Sequence, residues 1–108
     1  MSLTPDTVQH MVESRLIQTF RQYPRAGLYL SSSFRNRLLT AISKNILDPA
    51  ALHAYVLDAS DAWTLQTRIA FKDVFAYYAD AHEPGKDAEN IAILKAIAAG
   101  ILAAGKIQ

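Results

Sequence analysis

The segment NIAILKAIAAGILAAGKIQ, residues 90–108, constrains the fold of this 108-residue chain more than any other stretch. Only two of its nineteen residues, Lys95 and Lys106, carry charge. A helix that is apolar on nearly all sides is normally buried. The fifteen residues from Ile91 to Gly105 fall short of the roughly 20 consecutive apolar residues that a transmembrane helix needs. We therefore expect a central helix, Asp87–Lys106, in a helical bundle, and no membrane partner.

Small residues recur at every fourth position of this segment and would form a low ridge along one side of the helix. Gly100 costs roughly 1 kcal/mol relative to alanine in a helix interior, and close packing at that point would offset the cost. The ridge and the isoleucines beside it predict a close contact, either with other helices of the chain or at a subunit interface. The residues predicted for this contact are Ala92, Ala96, Ile97, Gly100, Ile101 and Ala104.

Prolines and capping residues mark the starts and ends of the other helices. Thr4 and Pro5 are typical of a helix N-cap and first helical position. Pro24 ends this first helix, because a residue that precedes proline is disfavoured in helical geometry. Asp48 and Pro49 repeat the starting pattern and predict a third helix.

The stretch between the first and third helices is the least helical in composition. Leu28–Leu30 is the one candidate strand, and the serines at 31–33 predict an N-cap for a second helix from Phe34 to Leu47. Residues 49–82 contain neither glycine nor a further proline, so one long helix or two helices with a bend at Ser60 are both open. We favour two. The predicted fold is an all-α bundle of four to five helices in a single domain, residues 1–108.

Composition supports a folded cytoplasmic protein and excludes some chemistry. Apolar residues make up 51 % of the chain and charged residues 19 %, which is incompatible with disorder. The chain has no cysteine, so disulfides, thiolate metal sites and cysteine nucleophiles are excluded. Because no basic-then-apolar signal pattern begins the sequence, we expect a cytoplasmic location.

The charge is unevenly distributed, although the net charge is only +1. Residues 1–47 carry six basic and two acidic side chains, and residues 48–108 carry five basic and eight acidic ones. The two halves could attract each other, or the basic half could meet an anionic partner. For the second case the predicted contact residues are Arg21, Arg25, Tyr29, Arg35 and Arg37.

Motifs that carry catalysis are absent from the sequence. No HExxH, GxSxG, Walker or Rossmann pattern occurs, and the three histidines fall in different predicted helices. Asp80, His82, Glu83 and Asp87 lie close in sequence, but clustered charges at a helix end are usually solvated surface. We expect no cofactor, no metal and no enzymatic activity.

These observations favour a non-enzymatic protein-interaction module, such as an adaptor, a chaperone, an inhibitor or an immunity-type protein, with a homodimer as one form of the interaction. The alternative is a small DNA-binding regulator that uses the arginine-rich half to contact phosphates. The predicted order of elements in residues 27–57, a short extended piece, a helix, a turn and a helix, resembles that of ribbon-helix-helix repressors. However, Leu28–Leu30 offers only Tyr29 as a polar ribbon residue, so the chain is not assigned to that family.

Overall fold

The computed structural model describes residues 3–22, 24–57 and 65–106, with the side chains of these residues except 24–31, 57 and 65–68. Within these ranges the chain forms five helices and no strand, so the predicted all-α bundle is confirmed. The helices are α1 (Pro5–Gln22), α2 (Pro24–Ser43), α3 (Pro49–Leu57), α4 (Leu65–Ala81) and α5 (Asp87–Lys106).

Side-chain caps fix the starts of α1 and α3 as the sequence predicts. The Thr7 amide donates a hydrogen bond to Thr4 Oγ1 at 3.2 Å, and the Ala51 amide donates one to Asp48 Oδ2 at 3.0 Å. Each bond satisfies one of the amide groups that a helix leaves without an internal partner at its first turn. A proline then occupies the first helical position in both helices.

The predicted strand at Leu28–Leu30 is wrong, because α2 is continuously helical from Pro24. The serines at 31–33 therefore lie inside the helix and do not cap it. Serine and glycine disfavour a helix by only about 0.5–1 kcal/mol each relative to alanine, a preference that tertiary packing overrides. Here α2 packs against α1, α3 and α5, and its Phe34 ring contacts α4.

The end of α2 also differs from the prediction of Leu47. The helix ends at Ser43, and Asn45 follows with a left-handed φ of 58°. The Ile46 amide donates to the Ala41 carbonyl at 3.0 Å, which closes the last turn in the manner of a Schellman motif. Asparagine tolerates this conformation better than most residues, so Asn45 was the overlooked signal in the sequence.

Residues 49–82 form two helices that lie side by side, which confirms the preferred interpretation. Pro49 and Ala50 at the start of α3 line a common groove with Ala76 and Ala79 near the end of α4. The two helices therefore run in opposite directions. The predicted bend at Ser60 lies outside the described residues.

Helix α5 takes the central position in the bundle. It packs against α1, α2 and α4, and ten of its twenty residues are buried, against five of eighteen in α1. Its most extensive contact is with α1, the helix farthest from it in sequence. A Cβ built on Gly100 would lie 2.9 Å from the Gln9 carbonyl oxygen and 3.0 Å from Val12 Cβ. The two helices therefore approach at a distance that admits no side chain at Gly100.

Aromatic rings from α2 and α4 pack together in the core. The rings of Phe34 and Phe71 stack with centroids 3.7 Å apart and planes 9° apart. Phe75 is tilted against Phe34 at 5.4 Å. The Tyr78 hydroxyl, fully buried, donates a hydrogen bond to the Leu47 carbonyl, and burial together with the nearby Asp48 and Asp87 raises the pKa of Tyr78 to about 12.

Within the described residues, α5 alone is long and apolar enough to cross a membrane, judged by length and composition. The length argument made from residues 91–105 therefore does not exclude a membrane span. However, 56 % of the most apolar stretch of α5 is buried inside the bundle, and core helices of soluble proteins meet the same test.

Candidate interaction surfaces

Arg37, one of the five predicted contact residues, is held by contacts within the chain. Its Nε donates a hydrogen bond to the Tyr55 carbonyl at 3.0 Å. Its guanidinium carbon lies 4.1 Å from the centroid of the Tyr55 ring, a cation–π geometry. Lys44 Nζ lies 5.7 Å from the same ring. Arg37 on α2 and Lys44, the residue that follows α2, therefore both contact Tyr55 on α3.

The structure does not bring the predicted contact residues together as one described surface. Arg21 is exposed in the last turn of α1, and Arg35 is half-buried on α2. Arg25 and Tyr29 occupy helical backbone, and their side chains lie outside the described residues. Because residues 28–30 are helical, the ribbon expected of the DNA-binding alternative is absent, and that alternative stays a prediction.

An ion pair between α1 and α4 joins the basic and acidic halves of the chain. Arg15 Nε and one terminal nitrogen both lie 2.9 Å from Asp73 Oδ2, which joins α1 to α4. A second terminal nitrogen of Arg15 lies 3.4 Å from Thr19 Oγ1. Both charged partners remain partly exposed, so water and salt weaken the pair.

An open groove runs between α3 and α4 and has a volume of 540 Å³. Small side chains leave the space, and Phe75, only 6 % exposed, contributes an aromatic surface to its lining. The lining residues from α3 are Pro49, Ala50 and His53, and those from α4 are Lys72, Phe75, Ala76 and Ala79. We call this surface the α3–α4 groove.

The otherwise apolar lining of the α3–α4 groove includes one polar side chain from each helix. His53 is half-buried on α3, and its ring lies 5.6 Å from the Phe75 ring. Lys72 is exposed on α4. Sequence reasoning missed this groove, because it depends on which faces of two helices meet. The alanines at 76 and 79, three residues apart beside a phenylalanine, were the available signal.

A second unusual surface is the outward side of α5. Six exposed or half-buried residues of α5 fall within an arc of about 80° around the helix axis, at 100° per residue. The outward face of α5 consists of Ala88, Ala92, Lys95, Ala99, Leu102 and Lys106. Leu102 is 38 % exposed, and only the two lysines are polar.

The predicted packing residues of α5 lie mostly on its inward side. Ala96, Ile97, Gly100, Ile101 and Ala104 are buried within the single chain. Ala92 is half-buried and belongs to the outward face. A subunit interface on α5 would therefore use a different stripe from the one that the spacing of small residues indicated.

The end of the bundle near Leu3 contains a smaller cavity of 330 Å³, lined by the start of α1 and the start of α5. Asn90, which is buried beside it, donates from Nδ2 to the Glu83 carbonyl at 2.9 Å and accepts from the Glu83 amide at 3.0 Å. Both polar ends of this amide are thus satisfied by the loop before α5. Asn90 has a clear structural role in closing that loop.

The acidic and histidine residues near the end of α4 do not form a metal centre. Glu83 pairs with Lys86 at 2.9 Å, and the His82 ring lies edge-on to Tyr78 at 5.5 Å. In the part of the chain that the structure describes, no three histidine, aspartate or glutamate side chains lie together in a geometry that could hold a metal ion.

The described chain is thus a five-helix all-α bundle with an open apolar groove between α3 and α4 and an apolar outward face on α5. Comparison with protein-family models, with curated proteins and with solved structures finds no match in any of the three. The proposals below therefore depend on the geometry of this chain alone.

Proposed function

We propose that this protein is a non-enzymatic interaction module and that the α3–α4 groove binds a segment of a protein partner. The observation that carries the proposal is the groove itself, an open apolar surface of 540 Å³ between two helices. Grooves of this kind accept the apolar side chains of an amphipathic helix, and polar residues at the rim of the groove fix the orientation of that helix.

The floor of the α3–α4 groove is held in place before any partner arrives. Phe75 packs against Phe34 at 5.4 Å, and Phe34 stacks on Phe71 at 3.7 Å. His53 lies against the other side of the groove, 5.6 Å from Phe75. A preformed floor reduces the ordering cost of binding, because few side chains must be immobilised on association.

The lining indicates the chemistry of the partner segment. An apolar side chain fits over Phe75 between the small residues Ala76 and Ala79. Lys72 supplies a positive charge, and His53 supplies a ring nitrogen on the opposite wall. A carboxylate next to the apolar anchor complements both. We therefore expect a helical segment with a large apolar residue and an adjoining aspartate or glutamate.

Selection of twelve-residue peptides from a random displayed library, with the purified protein as bait, tests this proposal. Peptides enriched on the wild-type protein should share an apolar anchor beside an acidic residue. Ala76→Arg places a long side chain in the groove and should abolish their binding. Ala54→Arg, a matched change at an exposed position of α3 outside the lining, should leave binding unchanged.

Reversal of one charge distinguishes groove binding from general stickiness. Lys72→Glu should shift the selected peptides from acidic to basic residues beside the same apolar anchor. The proposal fails if the enriched peptides bind the Ala76→Arg variant as well as they bind the wild type, provided that both melt at similar temperatures. It also fails if no peptide is enriched.

A further inference from the structure

We propose that a second copy of this chain packs antiparallel along the outward face of α5 and forms a two-fold symmetric dimer. The proposal does not depend on the α3–α4 groove. It arises from three properties of α5, namely its apolar outward face, the positions of large and small residues on that face, and the charges at its two ends.

Helix α1 provides the comparison that makes the outward face of α5 unusual. Every exposed residue of α1 except Pro5 is polar, as expected for a helix with one side in water. On α5 the corresponding side carries three alanines and Leu102, with Lys95 and Lys106 as its polar members. A face of this composition is typical of a helix that is covered on both sides.

An antiparallel pair about a two-fold axis at the level of Ile97 matches large residues to small ones. Residues equally far from Ile97 on either side then lie opposite each other in the two copies. Leu102 of each copy faces Ala92 of the other, so a protruding side chain meets a shallow position. Such an interface is isologous, because each copy contributes the same surface.

The charges at the ends of α5 favour the same arrangement. Asp87 and Glu89 lie in the first turn, and Lys106 lies in the last. In the antiparallel pair, Lys106 of one copy lies opposite Ala88 of the other, between the two carboxylates. A parallel pair would instead place each Lys106 beside the other. The antiparallel pair also sets the two helix dipoles favourably against each other, and Asp87 and Glu89 offset the unfavourable position of Lys106 near the N-terminus of the partner helix.

Lys95 works against the dimer and limits its stability. The two Lys95 residues lie two positions on either side of the axis, about 6 Å apart along the helices at 1.5 Å per residue. Like charges this close repel, although their long side chains can extend toward water. Together with the narrow contact of one helix pair, this repulsion indicates a weak, concentration-dependent dimer.

Sedimentation equilibrium over a wide range of protein concentration tests the proposal. The wild type should pass from monomer to dimer as concentration rises, and Leu102→Glu should remain monomeric. Ile69→Glu is the matched control, because Ile69 is the other large apolar residue that is exposed among the described side chains, at 47 %, and it lies on α4. This control should dimerise like the wild type. A wild type that stays monomeric at the highest soluble concentration would overturn the proposal.

Charge reversal tests the antiparallel register. Lys106→Glu and Glu89→Lys should each weaken the dimer, and the double variant should restore it, because it exchanges the two charges across the interface. Failure of the double variant to recover, with both single variants folded, would refute the register. Lys95→Ala should strengthen the dimer, since it removes the repulsion at the axis.

A membrane is the competing occupant of the same face, and flotation with phosphatidylserine-containing vesicles separates the two. On the dimer proposal, the wild type does not float with the vesicles. If the wild type floats, and both Leu102→Glu and Lys95→Ala reduce flotation, the outward face binds lipid and the dimer proposal is wrong. The opposite signs expected for Lys95→Ala make the two occupants distinguishable.

Discussion

The contact between α1 and α5 and the contact between α3 and α4 are built in opposite ways. At the first, Gly100 lets the backbone of one helix approach the other, and the space for a Cβ is already taken by the Gln9 carbonyl and Val12. At the second, Phe75 packs on the core ring of Phe34, and small residues next to Phe75 leave an open groove between the helices. Small residues therefore close one contact and open the other.

This difference separates stability from binding within one small bundle. A contact that cannot admit a methyl group is sensitive to any added volume, because protein interiors are close-packed. A groove that is already open tolerates added volume but loses its capacity to bind. The predictions that follow measure how strongly the two contacts differ, beginning with the largest expected effect.

Gly100→Leu should be the most destabilising of these changes. The added side chain meets backbone at 2.9 Å, and backbone cannot rotate away as a flexible side chain can. We expect a loss of about 3 kcal/mol or more in the free energy of unfolding, at the upper end of overpacking effects. Urea denaturation measures it. Gly100→Ala should also destabilise, even though alanine is favoured by about 1 kcal/mol in a helix interior.

A Gly100→Ala variant as stable as the wild type would show that α1 and α5 can move slightly apart at no cost in the free energy of unfolding. In that case the two contacts would not differ in the way proposed. Gln18→Leu is a useful control, because Gln18 is an exposed position on α1, the other helix of this contact. It should leave the free energy of unfolding nearly unchanged, since surface substitutions usually fall within about 0.5 kcal/mol.

Tyr78→Phe should have the next largest effect, about 1–3 kcal/mol, because it leaves the buried Leu47 carbonyl without its hydrogen-bond donor. The pH dependence provides a second measurement. The pKa of Tyr78 is about 12 in the folded protein, against an ordinary value of 10.0. Its contribution is therefore fully present below pH 10 and is lost as the pH rises toward 12.

Between those pH values the unfolded state has released the phenolic proton and the folded state has retained it. The stability should fall there by at most about 1.4 kcal/mol per pH unit from this residue. Tyr78→Phe should show a shallower decline than the wild type, whereas Tyr77→Phe, at a half-buried neighbour, should retain the full decline. Identical slopes in all three proteins would contradict the assignment.

The sequence predicts the α1–α5 contact better than the α3–α4 groove, for a physical reason. The spacing of small residues in α5 is a local pattern on one helix, so its buried role follows from periodicity. The groove depends on the distance between two helices and on which of their faces meet. Contacts between residues that are far apart in sequence, such as Phe34 and Phe71, determine both. Residues 28–30 show the limit of a local pattern, because their composition indicated a strand and their backbone is helical.

Arg37 illustrates the same limit for the candidate site. Its charge and its neighbours in sequence suggested a partner contact, whereas its position one helix away from Tyr55 gives it a structural role. Nothing local to Arg37 indicates that Tyr55 lies beside it. The partner contact predicted for the arginine-rich segment rested on charge alone, and charge does not show which arginines are held by contacts within the chain.

Arg37→Lys should destabilise the protein by about 1 kcal/mol, since lysine keeps the charge but loses the planar group that both stacks on the ring and reaches the carbonyl. Thermal unfolding measures the change. Arg21→Lys is the matched control at an exposed position of α1 and should have no measurable effect. Equal melting temperatures for wild type and Arg37→Lys would show that the Tyr55 contact contributes little to the α2–α3 junction.

Ala76→Leu should have the smallest effect on stability and the most informative one for the comparison. The new side chain enters an open groove, so it displaces water and meets no backbone. We expect a change within about 0.5 kcal/mol, since exposed positions tolerate substitution. Peptides selected on the wild type should nevertheless lose affinity, because leucine occupies the space of their apolar anchor. A loss of stability comparable with that of Gly100→Ala would mean that α3 and α4 are as tightly closed as α1 and α5, and the distinction between a structural contact and a binding groove would then fail.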